Sequence, residues 1–196
     1  MSVIRAFIAV NLTPEIQHRL DDVMNAFKQQ LDSAPVRWVP GHNIHLTLKF
    51  LGDVSVSNLD LLKKQLQAEV ADHRSFEISV GGAGAFPTAH RPRVIWVGVK
   101  APPELAAVQS GVEGVMARLG YAPEERPFSP HLTLGRVSRN MTPQDYRLIA
   151  SVLEKEKVGF LGALCVKTVD LYKSDLQSSG AVYTSLFTAP LSAELR

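Results

Sequence analysis

The stretch His45-Leu-Thr-Leu48 is repeated in the chain as His131-Leu-Thr-Leu134. Each copy predicts a short β-strand, in which successive side chains point to opposite faces. The histidine and the threonine of each copy therefore share one face, and the two leucines share the other. Because histidine is the side chain whose ordinary pKa permits proton transfer near neutrality, two such strands indicate an acid and a base at one site.

The residues that precede each copy are repeated as well. An apolar segment, 6–10 in the first half and 94–99 in the second, is followed by a proline and a glutamate, at Pro14 and Pro103 and the residue after each. Proline in the first turn with glutamate behind it is typical of a helix start. Strand, helix and histidine strand thus recur in the same order, which predicts an internal duplication. Two related lobes around a pseudo-twofold axis would bring the two histidines to one cleft.

Length and composition predict a single domain of two lobes over residues 1–196, with 45% hydrophobic and 20% charged residues. We expect no secretory signal at the start and no membrane span, because the longest apolar run, 158–166, is too short to cross a bilayer. The single cysteine, Cys165, fits a reducing cytoplasm. A net charge of +2 permits a phosphate-bearing partner without requiring one.

Apolar periodicity predicts the remaining secondary structure. Helices are predicted over 14–31, 57–70, 105–116 and 145–155, and strands over 36–39, 44–51, 76–80, 163–172 and 181–187, the last two joined by a turn at 177–180. The run Gly81-Gly-Ala-Gly84 lacks the Lys-Ser/Thr of a phosphate loop and is not followed by a helix. A flexible connector between the halves is the favoured interpretation.

Two other chemistries fit the sequence poorly. A zinc site would start from His42 and His45, but residues three apart on an extended chain face opposite sides, and no carboxylate or cysteine accompanies them at the usual spacing. A serine nucleophile lacks its Gly-x-Ser-x-Gly elbow, and Ser129 has a turn-forming explanation beside a proline. We therefore expect no metal and no cofactor. The sequence assigns no role to the other histidines, which are His18, His73 and His90.

Several polar side chains are candidates to bind a phosphate. Thr47 and Thr133 would place a hydroxyl donor beside each histidine. Arg136 follows His131 by an odd number of positions and would face away in a regular strand, unless a twist or bulge after Gly135 turns it towards the cleft. Weaker basic candidates are Arg37, Lys49 and Arg126. The aromatic residues that could form core or cleft walls, or stack a base, are Trp38, Phe50, Trp96, Phe128 and Tyr183.

On these motifs the chain resembles the two-histidine (2H) phosphoesterase superfamily, and within it the RNA 2′,3′-cyclic phosphodiesterases, also called 2′-5′ RNA ligases. The segments that carry the resemblance are 5–10, 36–39, 44–52, 94–98, 126–136 and 171–174. The resemblance implies an α+β fold with two antiparallel sheets flanked by helices around a central cleft. It also implies metal-independent hydrolysis of an RNA 2′,3′-cyclic phosphate to a 2′-phosphate, with a 2′-5′ ligase reaction as its reverse.

The same resemblance implies a role for each motif residue. His45 would be the proton donor and His131 the proton acceptor, Thr47 and Thr133 would hold phosphate oxygens, and Arg136 would lie on the substrate side. The expected partner is an RNA or oligonucleotide with a 2′,3′-cyclic phosphate, or a small cyclic nucleotide, bound by a monomer. A non-catalytic nucleotide-binding module is the alternative, although both motifs are complete.

Overall fold

A computed structural model describes residues 2–178 and 180–193 of the chain. Its strands are β1 (Val3–Val10), β2 (Val36–Trp38), β3 (Leu46–Ser55), β4 (Phe76–Phe86), β5 (Val94–Lys100), β6 (His131–Val137), β7 (Phe160–Val166), β8 (Thr168–Gln177) and β9 (Gly180–Pro190). Its helices are α1 (Pro14–Gln30), α2 (Leu59–Ala71), α3 (Pro103–Arg118) and α4 (Pro143–Lys155). The expected α+β class is confirmed.

Side-chain caps and proline fix where the helices begin. Before α1, the Thr13 hydroxyl accepts the backbone N–H of Ile16 at 3.4 Å, and Pro14 occupies the first turn, where no N–H is needed. Before α4, Thr142 and Asp145 form a reciprocal capping box. These caps satisfy backbone donors that a helix start leaves free, so the turn residues of the sequence determine where α1 and α4 start.

The strands form one antiparallel path in the order β7-β4-β5-β6-β3-β1-β8-β9, and β2 pairs with β6. The two halves of this path meet where Leu46 of β3 pairs with Leu132 of β6. The two sheets expected from the resemblance are therefore joined at the motif strands. This junction places the repeated sequence at the centre of the molecule.

The two halves of the chain follow the same path, but the last strand of the first half and its counterpart in the second each pair with the other half. In each half a strand, a long helix and a motif strand follow one another, as β1-α1-β3 and β5-α3-β6. However, β4 pairs with β5 of the second half, and β8 pairs with β1 of the first. Each side of the sheet is consequently built from both halves of the sequence.

Two expectations about strands and loops were wrong. The glycine run 81–84 is part of β4 rather than a connector; there the pairing with β5 shifts between Val80 and Ala83, and Gly82 adopts a positive φ of 72°. Glycine is the residue that tolerates such a bulge. The predicted strand 163–172 is divided between β7 and β8 at Lys167. The predicted turn 177–180 includes Ser179, which lies outside the described residues.

Buried apolar side chains from both halves belong to one hydrophobic cluster. The buried residues of α1 recur at three- and four-residue steps, at Ile16, Leu20, Met24 and Phe27, as the sequence pattern predicts. That residues 1–196 form a single domain stays a prediction. Within residues 2–178 and 180–193, no helix is long and apolar enough to span a membrane.

Candidate active site

The two motif strands lie next to each other and run antiparallel. Since Leu46 pairs with Leu132, the antiparallel register sets His45 opposite Thr133 and Thr47 opposite His131. Both leucines are fully buried, so the histidines and threonines lie together on the other face, where all four are partly exposed. Diagonal neighbours in such a pair are about 7–8 Å apart, and this is the relation between the two histidines. A phosphate ester could contact both rings at once.

Each imidazole is oriented by a backbone carbonyl two residues before it. The Nδ1–H of His45 donates to the carbonyl oxygen of Asn43 at 2.8 Å, and that of His131 donates to the carbonyl oxygen of Ser129 at 2.7 Å. In the neutral ring this tautomer leaves the Nε2 lone pair free. Both histidines can therefore present Nε2 to a substrate.

The two threonine hydroxyls complete the polar face. Within the part of the chain that the structure describes, neither Thr47 nor Thr133 has a side-chain hydrogen bond to another residue. A hydroxyl that is partly exposed and has no protein partner can donate to an incoming ligand. The arrangement provides one hydroxyl donor on each motif strand, between the two imidazoles.

Aromatic rings enclose His45 more than His131. Phe7 stacks on the His45 ring with centroids 4.6 Å apart, and Tyr183 meets it edge-on at 5.2 Å. The Tyr172 ring also stacks on Phe7, with centroids 5.2 Å apart, and lies 6.4 Å from the His45 ring. Phe86 meets the His131 ring edge-on at 4.9 Å. Phe7 and Tyr172 could not be recognised from the sequence as neighbours of the site, because both stand within strand patterns that indicate only core.

The surroundings of His45 change its protonation. Burial lowers the pKa of His45 from 6.5 to about 4; the carbonyl of Asn43 opposes this effect, and the positive charge of Arg136 adds to it. At neutral pH the His45 ring is therefore uncharged in the free protein.

Arg136 reaches the histidine face because of a β-bulge. In the pairing of β6 with β5, Thr133 lies opposite Trp96 and Gly135 lies opposite Ile95. Leu134 therefore has no partner on β5. Leu134 and Gly135 are both buried, whereas Arg136 is exposed like the histidine side of the strand. Of the two alternatives that the sequence left open for Arg136, a regular strand or a bulge, the strand has the bulge. Glycine at 135 leaves room for β2, since a Cβ there would lie 2.8 Å from the Val36 side chain and 3.0 Å from that of Trp38.

The first motif carries a bulge at the same position. In the pairing of β3 with β1, Thr47 and Lys49 are opposite consecutive residues, and Leu48 is left unpaired. The bulge turns Phe50, the counterpart of Arg136, to the histidine face, where its ring lies 6.2 Å from that of Phe7. Phe50 is 62% exposed. The other aromatic candidates, Trp38, Trp96, Phe128 and Tyr183, are only partly exposed.

Two of the weaker basic candidates are engaged elsewhere. Lys49 is buried, and its ammonium donates to the Glu113 carboxylate at 2.5 Å and to the Ala122 carbonyl at 2.8 Å. Arg126 forms an exposed ion pair with Glu124. The Lys49 ammonium is therefore held against α3 and the loop after it, and the Arg126 guanidinium is paired with its neighbour Glu124.

The remaining histidines do not join the site. His73 bonds to Glu69 in the last turn of α2, while His18, His42 and His90 are exposed on the surface. Among residues 2–178 and 180–193 there is no group of three or more His, Cys, Asp or Glu side chains arranged to hold a metal ion.

Comparisons with known proteins show the family of the chain. The family model for LigT-like phosphoesterases matches the chain twice, over residues 10–96 and 97–183. A curated RNA 2′,3′-cyclic phosphodiesterase of Methanothermobacter thermautotrophicus is 32% identical over 183 residues, which are 93% of this chain and 96% of the relative. A second, from Archaeoglobus fulgidus, is 32% identical and covers 93% and 97%. The crystal structure of Escherichia coli LigT with 3′-AMP superimposes with a TM-score of 0.79 at 27% identity, covering 97% of this chain and 99% of that one.

Proposed function

Because the chain belongs to the LigT-like phosphoesterase family and is a phosphodiesterase, we propose that it hydrolyses RNA 2′,3′-cyclic phosphate ends to 2′-phosphomonoesters. We further propose that His45 and His131 act as acid and base and that no metal takes part. The observation that carries the proposal is the antiparallel pairing of the two motif strands, with His45 opposite Thr133 and Thr47 opposite His131. The curated relatives are named for this reaction.

The proposed reaction is an in-line displacement at phosphorus. Nε2 of neutral His131 accepts a proton from water as the water oxygen bonds to phosphorus. The bond from phosphorus to the 3′ oxygen breaks, and the His45 imidazolium gives its Nε2 proton to that oxygen. The phosphate stays on the 2′ oxygen. Opposite protonation states of the two rings are therefore needed at the same time.

Negative charge that gathers on the non-bridging oxygens needs donors fixed in advance. Thr47 and Thr133 supply hydroxyl donors from the two strands, and the Arg136 guanidinium supplies positive charge on the same face. The anionic phosphate would also offset the effects that lower the pKa of His45, so substrate binding would help to charge the proton donor.

The exposed face of Phe50 supports a nucleotide substrate. We propose that a base stacks on this ring while the phosphate lies between the motif strands. The structure of the E. coli relative was determined with 3′-AMP bound, which fits a site for a base and a phosphate together.

The same groups can run the reaction backwards, joining a 2′-phosphate to a 5′-hydroxyl. Water at its bulk concentration favours hydrolysis, so we propose hydrolysis as the main direction. We also propose that the protein is a cytoplasmic monomer, in keeping with its single cysteine.

The test is turnover of adenosine 2′,3′-cyclic phosphate, with the product identified by phosphorus NMR. We expect 2′-AMP, a bell-shaped dependence of rate on pH, and the same rate with and without EDTA. His45→Ala and His131→Ala should remove turnover while circular dichroism shows an intact fold. His18→Ala changes an exposed histidine on α1 and should leave the rate unchanged.

Three results would contradict the proposal. A near-normal rate for His131→Ala would eliminate the proposed base. Loss of activity in EDTA would indicate a metal mechanism. Tight binding of nucleotides by the unaltered protein with zero turnover would indicate a binding module instead of an enzyme.

A further inference from the structure

Two arginines lie directly opposite each other near the candidate site. Arg37 of β2 pairs with Arg136 of β6 in the antiparallel register, so their side chains leave the sheet on the same face. Cβ atoms in such a pair are about 5 Å apart, and like charges placed there repel. Both residues are exposed, and over residues 2–178 and 180–193 neither guanidinium forms an ion pair or a side-chain hydrogen bond. The pair is therefore a concentration of positive charge without a counter-charge.

The arginine pair lies further along β6 than the motif residues, on the same face of the sheet. β2 and β3 follow the same edge of β6: β3 pairs at Leu132, and β2 pairs from Gly135 to Val137. Thr133 is the residue opposite His45, and Arg136 is three residues further along β6. Three residues of extended strand span about 10 Å. Arg136 faces the histidines, as its bulge requires, and Arg37 stands across from it on the neighbouring strand. An anion that binds both guanidinium groups would lie beside the reacting phosphate without replacing it.

The chemistry of this pair indicates a second phosphate. Guanidinium groups bind phosphate oxygens in a bidentate manner and remain charged at all physiological pH values. In the proposed reaction the terminal cyclic phosphate has Thr47, Thr133 and the charge of Arg136 as partners, and Arg136 can contact a second phosphate as well because a guanidinium has five N–H donors. We infer that Arg37, together with Arg136, binds the phosphodiester that precedes the cyclic phosphate, so that the preferred substrate is an oligonucleotide end and not a mononucleotide. This inference rests on the proposed function and specifies its substrate class.

The test compares a substrate with one phosphate and a substrate with two. Adenosine 2′,3′-cyclic phosphate lacks the inner phosphodiester, whereas the dinucleotide ApA with a terminal 2′,3′-cyclic phosphate contains it. We expect kcat/KM to be about tenfold higher for the dinucleotide, the gain of one charged hydrogen-bonding contact. Arg37→Ala should remove that advantage and change kcat/KM for the mononucleotide less than about twofold, because no step of the reaction uses Arg37.

Salt dependence separates a direct contact from a general effect of charge. If Arg37 neutralises one phosphate, Arg37→Ala should reduce the slope of log affinity against log salt for the dinucleotide by about 0.7. Arg118→Ala removes the same charge from an exposed position in the last turn of α3 and should alter neither the slope nor the substrate preference.

Three outcomes would overturn the inference. The first is an equal kcat/KM of the unaltered protein on the mononucleotide and the dinucleotide. The second is an equal loss of kcat/KM on these two substrates in Arg37→Ala. The third is a loss in Arg37→Ala that is seen only with a further substrate, an ADP-ribose cyclic phosphate, whose second phosphate is part of a diphosphate. If the unaltered protein turned over no cyclic phosphate, the proposed function would fail instead. Calorimetric binding of ApA with a terminal 2′-phosphate, measured against 2′-AMP, would then decide the role of Arg37 without turnover.

Discussion

Titration of His45 tests how the site controls its protons. Burial lowers the pKa of this ring from 6.5 to about 4, against the opposing hydrogen bond to Asn43 and with the help of Arg136. At 1.36 kcal/mol for each pKa unit, this change corresponds to about 3 kcal/mol in favour of the neutral ring. NMR of the imidazole Cε1–H in the free protein should therefore show a midpoint near 4 for His45.

The lowered pKa of His45 also makes the folding stability of the protein depend on pH, with stability falling as the solution becomes more acidic. Since the folded pKa lies below that of the unfolded chain, the unfolded chain takes up the proton first as the pH falls. The stabilisation from neutral His45 is complete above pH 6.5 and is lost progressively as the pH falls towards 4. Urea unfolding at pH 7 and at pH 4 should show a larger loss of stability in the unaltered protein than in His45→Gln, by up to about 3 kcal/mol.

The decisive measurement is the titration of His45 with a ligand bound. At pH 7 a ring with a pKa of about 4 is protonated in about one molecule in a thousand, too few for an efficient proton donor. Bound 2′-AMP, an anion, should raise the His45 midpoint above 6. Arg136→Gln should also raise it in the free protein, since that change removes a nearby positive charge. A His45 midpoint that stays near 4 in the 2′-AMP complex would refute the assignment of His45 as proton donor.

Three further predictions concern single side chains. Lys49→Met should lower stability by about 3 kcal/mol, or the melting temperature by about 6–12 °C, because it leaves the Glu113 carboxylate without its cation; Glu113→Gln in the same chain should restore part of the loss in a thermal scan. Phe50→Ala should weaken binding of 2′-AMP by about 5- to 100-fold in calorimetry if a base stacks there, whereas Phe160→Ala, an exposed phenylalanine of the edge strand β7, should have no effect. Thr133→Val should lower kcat by about tenfold or more with little change in KM, and an unchanged kcat would remove this hydroxyl from the reaction.

The common face of the motif residues could be predicted from the sequence. Alternation along a strand separates His45 and Thr47 from Leu46 whatever the rest of the fold does, and burial of the leucines leaves only one direction for the polar side chains. The repeat then indicates two equivalent strands. Their direct pairing, Leu46 with Leu132, depends on how the halves assemble and needed the structure.

Features that depend on an irregular strand could not be predicted in this way. One unpaired residue, Leu134, reverses the direction of the Arg136 side chain. Strict alternation of side chains along a strand cannot reveal such a residue. The sequence made Lys49 a weak candidate for phosphate binding, because its partner Glu113 lies far along the chain on α3 and could not be foreseen. The run 81–84 indicated a loop because glycine is common in loops, yet here it forms a bulge within β4.

The exchange of β4 and β8 means that neither repeat is a complete structural unit. A peptide that ended after β4 would hold β1 without its neighbour β8 and would carry β4 without its neighbour β5. Two copies of such a peptide could satisfy these edges only by trading their last strands, as in a domain-swapped dimer. The present chain makes both of these pairings within one molecule, and its two halves differ at the equivalent positions after the shared motif, Phe50 in one and Arg136 in the other.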